Sequence, residues 1–291
     1  MEYQILHQIR YDYSQPVRLE PHRLLLHPRQ SPRQQVHSFT LHIQPQPSGQ
    51  AWNWDLNGSQ PLTCWFRDPL TALNIQMQAT VGIDCPNPFA FLLESWAARL
   101  PIDYPHALYH HLSPDLQVSP DPLLGNLVWE WQQEVQGSTV GFVCLANQRV
   151  HEHCRYQERP SGDPWPAAIT WARQQGSCRD LAVLLMTCYR LAGLAARFVS
   201  GYVWTERGSR HLHAWTEVYL PGAGWRGFDP TQGLAVAEHH IAVAAHGIPR
   251  FTAPVQGYFQ PAEARSTLTT QVHVQPLAGP WPPQSAPGSD G

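Results

Sequence analysis

Apolar and polar residues alternate with a period of two along the first 86 positions of the chain. Five runs show this alternation or are rich in residues that favour strands: 3–13, 36–43, 52–56, 62–66 and 70–83. Turn-forming residues separate the runs, as in PQPSG at 45–49. Short alternating segments with turns between them are typical of antiparallel sheets that bury one face. The pattern therefore predicts an N-terminal antiparallel β-sandwich over residues 1–86.

After residue 86 the spacing of apolar residues becomes that of helices. Residues 87–122 are rich in proline and are predicted to form a linker with one short helix at 89–99. Helical patterns follow at 123–136, 140–156, 165–175 and 178–191, and strand patterns at 195–204, 211–220, 225–231, 239–245, 254–260 and 267–275. These elements predict an α+β domain over residues 123–277, with helices packed on an antiparallel sheet. Residues 278–291 are low in complexity and are predicted to form a disordered tail.

The stretch GSCRDLAVLLMTCYR at 176–190 carries a regular helical pattern, with leucines recurring at three- and four-residue spacing. Ser177 is suited to cap this helix, which places Cys178 in its first turn. Unpaired backbone N–H groups and the helix dipole favour an anion there, so a thiol at this position ionises more readily than a free one. The alternative is a structural cysteine that opens a core helix. Cys188, about three turns further on, is predicted to be a core residue.

A histidine and an aspartate follow on two neighbouring strands. The first strand is HLHAWTEVYL at 211–220, the turn is PGAG, and the second strand ends at Asp229. A thiolate nucleophile needs an imidazole to share its proton, and that imidazole needs a carboxylate or amide to orient it. Either His211 or His213 could be this base, because both lie on the same face of the strand. The three residue types thus occur on elements that can converge.

The register of this hairpin decides whether Asp229 can reach His213. A regular four-residue loop at 221–224 would place Asp229 on the face opposite His213. A loop with an odd number of residues would place Asp229 across from Trp215, on the face of His213 and diagonal to it. We therefore predict an odd loop or a bulge within residues 219–228, with the Asp229 carboxylate bonded to a ring nitrogen of His213.

At this point the sequence resembles a known family. GSCRDLAVLL, GLAARFVSGYV at 193–203 and HAWTEVYLPGAGWRGFDPTQG at 213–233 resemble, in order and spacing, the core of transglutaminase-like cysteine enzymes. The N-terminal MEYQILHQIRYDYSQPVRLEPHRLLLHPR resembles the first domain of the bacterial branch. The resemblance implies a papain-like core with a catalytic triad of Cys178, His213 and Asp229, and it selects His213 over His211.

The resemblance implies an enzyme that acts on amide or peptide bonds through a thioester acyl-enzyme. We predict hydrolysis, because bacterial members of this branch look more like proteases than like cross-linking enzymes. Transfer of glutamine acyl groups to amines, the protein-glutamine γ-glutamyltransferase reaction, uses the same residues and is the alternative. A different class, a non-catalytic binding or scaffold module with a vestigial triad, is the other alternative. A peptide or protein is the predicted partner, and the oligomeric state stays open.

Other side chains are candidates for supporting roles. The backbone N–H of Cys178 would be one oxyanion donor, and an upstream side chain would be the second. The candidates for that second donor are Gln174, Gln175, Trp165 and Trp171. Trp215 shares the face of His213 and either walls the acyl site or packs the core. Asp180 favours the helix dipole, and no catalytic role for it follows from its position.

Composition and charge exclude several classes of function. The net charge of −3 offers no basic footprint for nucleic acid, and no apolar run reaches the length of a membrane span. Six cysteines without close pairing predict a reducing, cytoplasmic setting rather than a disulfide framework. The HEHC segment at 151–154 lacks the spacing that brings zinc ligands together, so we predict neither a metal nor a cofactor.

Overall fold

A computed structural model describes residues 1–159, 162–206 and 211–277. Within these ranges the chain has a mixed α+β fold, with five α-helices and mostly antiparallel sheets, which confirms the predicted fold class. The predicted disordered tail at 278–291 lies outside the described residues. No helix of the described part is long and apolar enough to cross a membrane.

Two antiparallel sheets form the N-terminal region. Its strands are β1 (Glu2–Leu19), β2 (His22–Leu24), β3 (Gln34–Gln44), β4 (Gly49–Trp52), β5 (Leu62–Trp65) and β6 (Leu70–Ile83). Strand β6 lies between β1 and β3, and its burial alternates strictly along its second half. The buried residues of this strand, including Leu73, Ile75 and Met77, pack against Tyr3 and Ile5 of β1. The apolar residues of the period-two pattern thus form the buried face of this sheet.

The helices of the core surround one central helix. In chain order the elements are α1 (His106–Leu116), α2 (Pro122–Glu134), α3 (Thr139–His153), β7 (Arg155–Tyr156), α4 (Ala167–Arg173), β8 (Gln175–Gly176) and α5 (Cys178–Leu191). Helix α5 contacts α2, α3 and α4, and it also packs on the core sheet. Its leucines Leu181, Leu184 and Leu185 are almost fully buried, as their helical spacing predicts.

The core sheet lies between the helices and the N-terminal region. Its strands are β9 (Ala196–Val203), β10 (His213–Leu220), β11 (Gly224–Asp229), β12 (Leu234–Ala235) and β13 (His240–His246), in the order β12-β11-β10-β9-β13. On one face Thr216 donates a hydrogen bond to the carbonyl of Ala182 in α5, at 2.7 Å. On the other face Glu217 forms an ion pair with Arg29 of the N-terminal region, at 3.5 Å. Both regions therefore share this sheet as a common wall.

The end of the chain returns to the N-terminal region. Its strands are β14 (Val255–Gln256), β15 (Phe259–Gln260) and β16 (Ser266–Pro276). Strand β16 pairs with β1 from Tyr3↔Pro276 to Tyr13↔Ser266, and β14 pairs with β2. The predicted core boundary at residue 277 is therefore wrong, because residues 266–276 form an edge of the first sheet. Strand periodicity alone does not tell which sheet a strand joins.

The predicted linker at 87–122 also needs correction. The helix expected at 89–99 is absent from this described stretch, which holds only a 3₁₀ turn at Ser95–Ala97, and the α-helix of the segment is α1. Leu92 is exposed, so the helical spacing around it does not mark a buried face. Tyr104 and Leu112 are buried in the core of the second region. The segment is thus part of that core rather than a free connection.

Candidate active site

Cys178 begins helix α5, as predicted, and its side chain is partly exposed. Ser177 occupies the N-cap position. The buried carboxylate of Asp180 accepts hydrogen bonds from the Ser177 backbone N–H at 2.7 Å and from its hydroxyl at 2.8 Å. The cap fixes the backbone on which the thiol is carried. Cys188, in contrast, is fully buried in the core.

Asp180 has a structural role that the sequence left open. Its carboxylate also accepts a hydrogen bond from the Trp165 backbone N–H at 2.7 Å, and the Arg159 Nε lies 3.1 Å from it. It thus ties the loop before α4 to the start of α5. A side chain at Gly176 would intrude here, since a Cβ would lie 2.8 Å from the Asp180 Cβ. The hydrogen bonds between Ser177, before Cys178, and Asp180, after it, therefore fix the backbone that carries the thiol.

The β10–β11 hairpin has the register predicted from the need to bring Asp229 to His213. Thr216 pairs with Phe228 and Leu220 with Gly224, which leaves the three-residue loop 221–223. This confirms the prediction of an odd loop. Gly222 adopts a φ of 88°, a conformation that glycine reaches without strain. The parity of the loop places Asp229 on the same face as His213.

His213 and Asp229 form a buried pair. The Nε2 of His213 lies 2.7 Å from the Asp229 Oδ2, and Asp229 is fully buried. Burial by itself lowers the pKa of His213. The charge and hydrogen bond of Asp229, with a smaller effect of Cys178, outweigh it and raise that pKa to about 10. Burial raises the pKa of Asp229, but His213 and then His240 hold it far below its usual 3.8. At neutral pH the pair is an imidazolium and a carboxylate.

His240 is a member of this site that the sequence analysis missed. It lies on β13, is buried, and its Nε2 is 3.0 Å from the same Oδ2 of Asp229. Burial lowers the pKa of His240, although Asp229 opposes this, so the ring is neutral and donates from Nε2. The other carboxylate oxygen, Oδ1, accepts from the Thr231 backbone N–H at 2.9 Å. Asp229 is thus held by three donors.

Cys178 and His213 line one cleft of about 300 Å³. Because Nε2 of His213 is bonded to Asp229, its Nδ1 is the ring nitrogen available to the thiol, with which the imidazole forms a side-chain hydrogen bond. One wall of the cleft comes from the N-terminal region, through His7 and Tyr11 of β1. This cleft is therefore built by both regions of the chain.

His211 and Tyr156 also line this cleft, but in different settings. His211 is exposed at its rim, and its Nε2 lies 2.9 Å from the Glu158 carboxylate. Tyr156 was not singled out from the sequence. It pairs with Gly176 in the short parallel ladder β7–β8, two residues before Cys178. Burial raises the pKa of the Tyr156 phenol, and the nearby Cys178 adds to the increase.

The structure does not place the predicted oxyanion candidates in the cleft. Trp171 stacks on His153, with ring centroids 3.6 Å apart, and Gln175 accepts a long hydrogen bond from Arg155 at 3.5 Å. Gln174 and Trp165 are likewise absent from the residues described as lining the cleft. Trp171 packs into the helical core because its neighbours are apolar, which a sequence pattern does not distinguish from a cleft position.

Trp215 does not line the cleft that contains Cys178 and His213. Its side chain is buried, its ring centroid is 6.2 Å from that of His213, and it makes an edge contact of 5.3 Å with His240. It lines a second cleft on the other side of the site. Of the two alternatives for Trp215, its burial in a hydrophobic cluster agrees with a core residue, and it shares the strand face of His213 as expected.

Two groups of residues resemble metal ligands. The members of the HEHC segment have separate partners: His151 contacts the Pro230 carbonyl, and His153 stacks on Trp171. His213, Asp229 and His240 offer ligand atoms within 4.8 Å of one another. In this second group the Nε2 atoms of both histidines are hydrogen-bonded to the Asp229 Oδ2. These hydrogen bonds account for the closeness of the three side chains.

Comparison with known proteins gives the family of both regions. Residues 3–82 match the family described as bacterial transglutaminase-like N-terminal region, and residues 133–230 match the transglutaminase-like superfamily. An uncharacterized protein of Mycobacterium tuberculosis is 26% identical over 296 residues, covering 95% of this chain and 93% of its own length. An uncharacterized protein of Mycobacterium leprae is 29% identical over 111 residues, covering 36% of this chain and 39% of its own length.

Solved structures show the same fold. A candidate cysteine protease from Cytophaga hutchinsonii superposes with a TM-score of 0.72 at 18% identity, covering 97% of this chain and 93% of that chain. The agreement extends over both regions, so it includes the β domain as well as the core around Cys178. The chain therefore belongs to the bacterial transglutaminase-like proteins, with the N-terminal region of that branch preceding a transglutaminase-like core.

Proposed function

We propose that the chain is a thiol hydrolase of amide or peptide bonds. The observation that carries this proposal is the convergence of Cys178 and His213 in one cleft, with buried Asp229 fixed 2.7 Å behind the imidazole. An imidazolium beside a thiol favours its thiolate form, which is the nucleophile. The Cytophaga hutchinsonii neighbour is a candidate cysteine protease, which agrees with this reaction class.

The proposed reaction has two steps. The Cys178 sulfur adds to the carbonyl carbon, and His213 gives its proton to the leaving nitrogen as the C–N bond breaks, which leaves a thioester. Water then attacks the thioester while His213 takes a proton from it, and the carboxylic acid departs as the thiolate is restored. Asp229 keeps the imidazole oriented and stabilises its positive charge throughout.

The size of the cleft supports an extended substrate. A volume of about 300 Å³ accommodates a short segment of peptide, not a folded surface. His7 and Tyr11 on one side and Tyr156 on the other would flank such a segment. We therefore propose unfolded or loop segments of proteins, or free peptides, as the substrate class.

The experiment that tests the reaction is a peptidase screen run beside incorporation of a fluorescent primary amine into a glutamine peptide. Release of new amino and carboxyl termini without amine incorporation supports hydrolysis. Amine incorporation that exceeds hydrolysis would instead assign the transferase reaction. The chain contains no lysine, so it offers no side-chain amine that would compete with the probe. Absence of both reactions, with ordinary thiol reactivity of Cys178, would favour the binding module.

Tyr156 is the side chain we propose as the second oxyanion donor, with the backbone N–H of Cys178 as the first. Tyr156 lines the same cleft as Cys178 and pairs in the β7–β8 ladder with Gly176, two residues before Cys178, which supports this role. Tyr156→Phe should lower kcat by about 10- to 100-fold with little change in KM, because the hydrogen bond strengthens only in the transition state. Steady-state kinetics on one peptide substrate measure this. Tyr109→Phe, at a residue outside the cleft lining, is the control; an equal loss in both variants would contradict the assignment.

We also propose a reducing, cytoplasmic setting for the protein. All six cysteines are free thiols, and none of them forms a disulfide. Cys178 is the one cysteine among the described residues that line the catalytic cleft. A reducing compartment would keep the Cys178 thiol available for catalysis.

A further inference from the structure

A second cleft, of about 450 Å³, lies on the opposite side of the catalytic pair from Cys178. One wall comes from Arg33 of the N-terminal region and from Phe91 of the segment that follows it, and the other from the core sheet through Trp215, Arg226 and His240. It shares no lining residue with the cleft that contains Cys178. It is therefore a separate space that none of the proposed catalytic steps uses.

Three buried polar atoms without partners belong to residues that line this cleft. In the described part of the chain, Trp215 Nε1, Arg226 Nε and His240 Nδ1 are buried and have no hydrogen-bond partner. All three residues line the cleft, and the side chains of Trp215 and His240 are only 1% and 6% exposed. Unsatisfied buried groups are uncommon in folded proteins and call for a specific partner. Two of these atoms are donors, and His240 Nδ1 is an acceptor because its Nε2 donates to Asp229.

The charge at the mouth of the cleft is positive and uncompensated. The Arg226 guanidinium lies 4.9 Å from the Phe91 ring, and Arg33 Nη1 is 3.4 Å from the Cys85 sulfur. Arg33 and Arg226 line the same cleft, and burial, followed by the charge of Arg33, lowers the pKa of Arg226. Neither arginine forms an ion pair with a carboxylate of the described residues, whereas Arg197 in the same cleft is paired with Glu217 at 2.6 Å.

We propose that this cleft binds a small organic carboxylate that carries an aromatic or apolar group and an N–H donor, as an N-acylated amino acid does. The two arginines match the charge and geometry of a carboxylate. Phe91 and Trp225 supply aromatic walls for the apolar group. The donor would satisfy His240 Nδ1, and the ligand carbonyl would accept from Trp215 Nε1.

Such a ligand would affect the Asp229 carboxylate through one side chain, the imidazole of His240. His240 contacts the cleft with one face and bonds Asp229 through Nε2. A donor on Nδ1 fixes the tautomer in which Nε2 carries the proton, and this keeps Asp229 held from behind. The cleft is thus positioned to act as an effector site for the pair in front of it, and it does not depend on which reaction Cys178 performs.

The test is isothermal titration calorimetry of the full chain with N-acetyl-L-phenylalanine as probe. N-acetyl-L-phenylalaninol, in which an alcohol replaces the carboxylate, is the neutral control ligand. We expect a Kd of about 1 mM or lower for the acid and binding at least about tenfold weaker for the alcohol. Arg226→Gln and Arg33→Gln should each weaken binding of the acid by about tenfold or more, and Arg18→Gln, on the exposed side of β1, should leave it unchanged.

Carboxymethylation of Cys178 separates this site from the catalytic cleft, since it should leave the affinity unchanged. No binding of the acid at about 10 mM would overturn the proposal. Equal affinity for acid and alcohol, insensitivity to both arginine substitutions, or loss of binding on carboxymethylation would also overturn it. If one arginine variant does not fold, the other carries the same test, because both residues lie at the partly exposed mouth of the cleft.

Discussion

Replacement of Cys178 by alanine should abolish amide hydrolysis while leaving the fold and its stability almost unchanged. The thiol lies partly exposed at the first position of α5, so its loss opens no core cavity. The helix start is held by the Ser177–Asp180 hydrogen bonds, which do not involve the thiol. Without a nucleophile, only binding and oxyanion stabilisation remain, and kcat should fall by at least about 10⁴-fold. Peptide hydrolysis measures the loss of kcat, and urea unfolding of the same sample measures the free energy of unfolding.

Cys188→Ala is the matched control, because it makes the same chemical change on the same helix. Cys188 is fully buried, and burial raises the pKa of its thiol to about 12, so it stays protonated and inert. Its truncation should reduce the free energy of unfolding by about 1 kcal/mol or more through the small cavity left behind. Activity should persist. Equal loss of activity in the two variants would remove Cys178 from its proposed role.

The elements that carry the candidate site were predictable because each depends on local chain physics. Helix α5 follows from leucines spaced at three and four residues and from a capping serine, both of which act within one turn. The parity of the β10–β11 loop follows from the alternation of side chains, once Asp229 is required to face His213. Such features can be predicted because the spacing of residues along a helix or strand directly sets which face their side chains occupy.

The features that the sequence did not predict depend on how strands and short segments pair in the fold. His240 follows Asp229 by only 11 residues. It belongs, however, to β13, which pairs with β9 at the opposite edge of the sheet from β12, and no local pattern indicates that pairing. Tyr156 joins the lining of the cleft through a two-residue parallel ladder, which is too short to leave a periodic pattern. From the sequence, Trp171 is one of four candidates for the second oxyanion donor, and Trp215 either walls the acyl site or packs the core. Packing against apolar neighbours placed both away from the cleft.

Replacement of Asp229 should have the second-largest effect on activity. In Asp229→Ala the imidazole of His213 loses the hydrogen bond that orients it, and kcat should fall on the order of 10²- to 10⁴-fold. Asp229→Asn keeps an acceptor for Nε2 but removes the negative charge. The loss in kcat should therefore be smaller than in the alanine variant, and the pH dependence should change instead. Comparison of the two variants separates orientation from charge.

The charge effect has a definite sign. In the wild type the Asp229 carboxylate overcomes burial and raises the pKa of His213 from 6.5 to about 10, so the imidazolium persists to that pH. Without the charge, burial dominates and the pKa should fall below its ordinary value. The high-pH limb of kcat/KM should then move down by more than about one unit in Asp229→Asn. The His213 ring-proton titration, followed by NMR in a Cys178→Ala background, should show the same displacement.

Stability should follow the same shift. A raised folded-state pKa stabilises the protein fully below 6.5, and this contribution is lost as the pH rises through about 10. The depressed pKa of Asp229 adds stability that is present above 3.8 and is lost only as the pH falls through its lower folded-state value. The difference in unfolding free energy between the wild type and Asp229→Asn should therefore shrink from pH 6.5 to about 10. A constant difference across that range, with an unmoved activity profile, would show that Asp229 does not set the charge of His213.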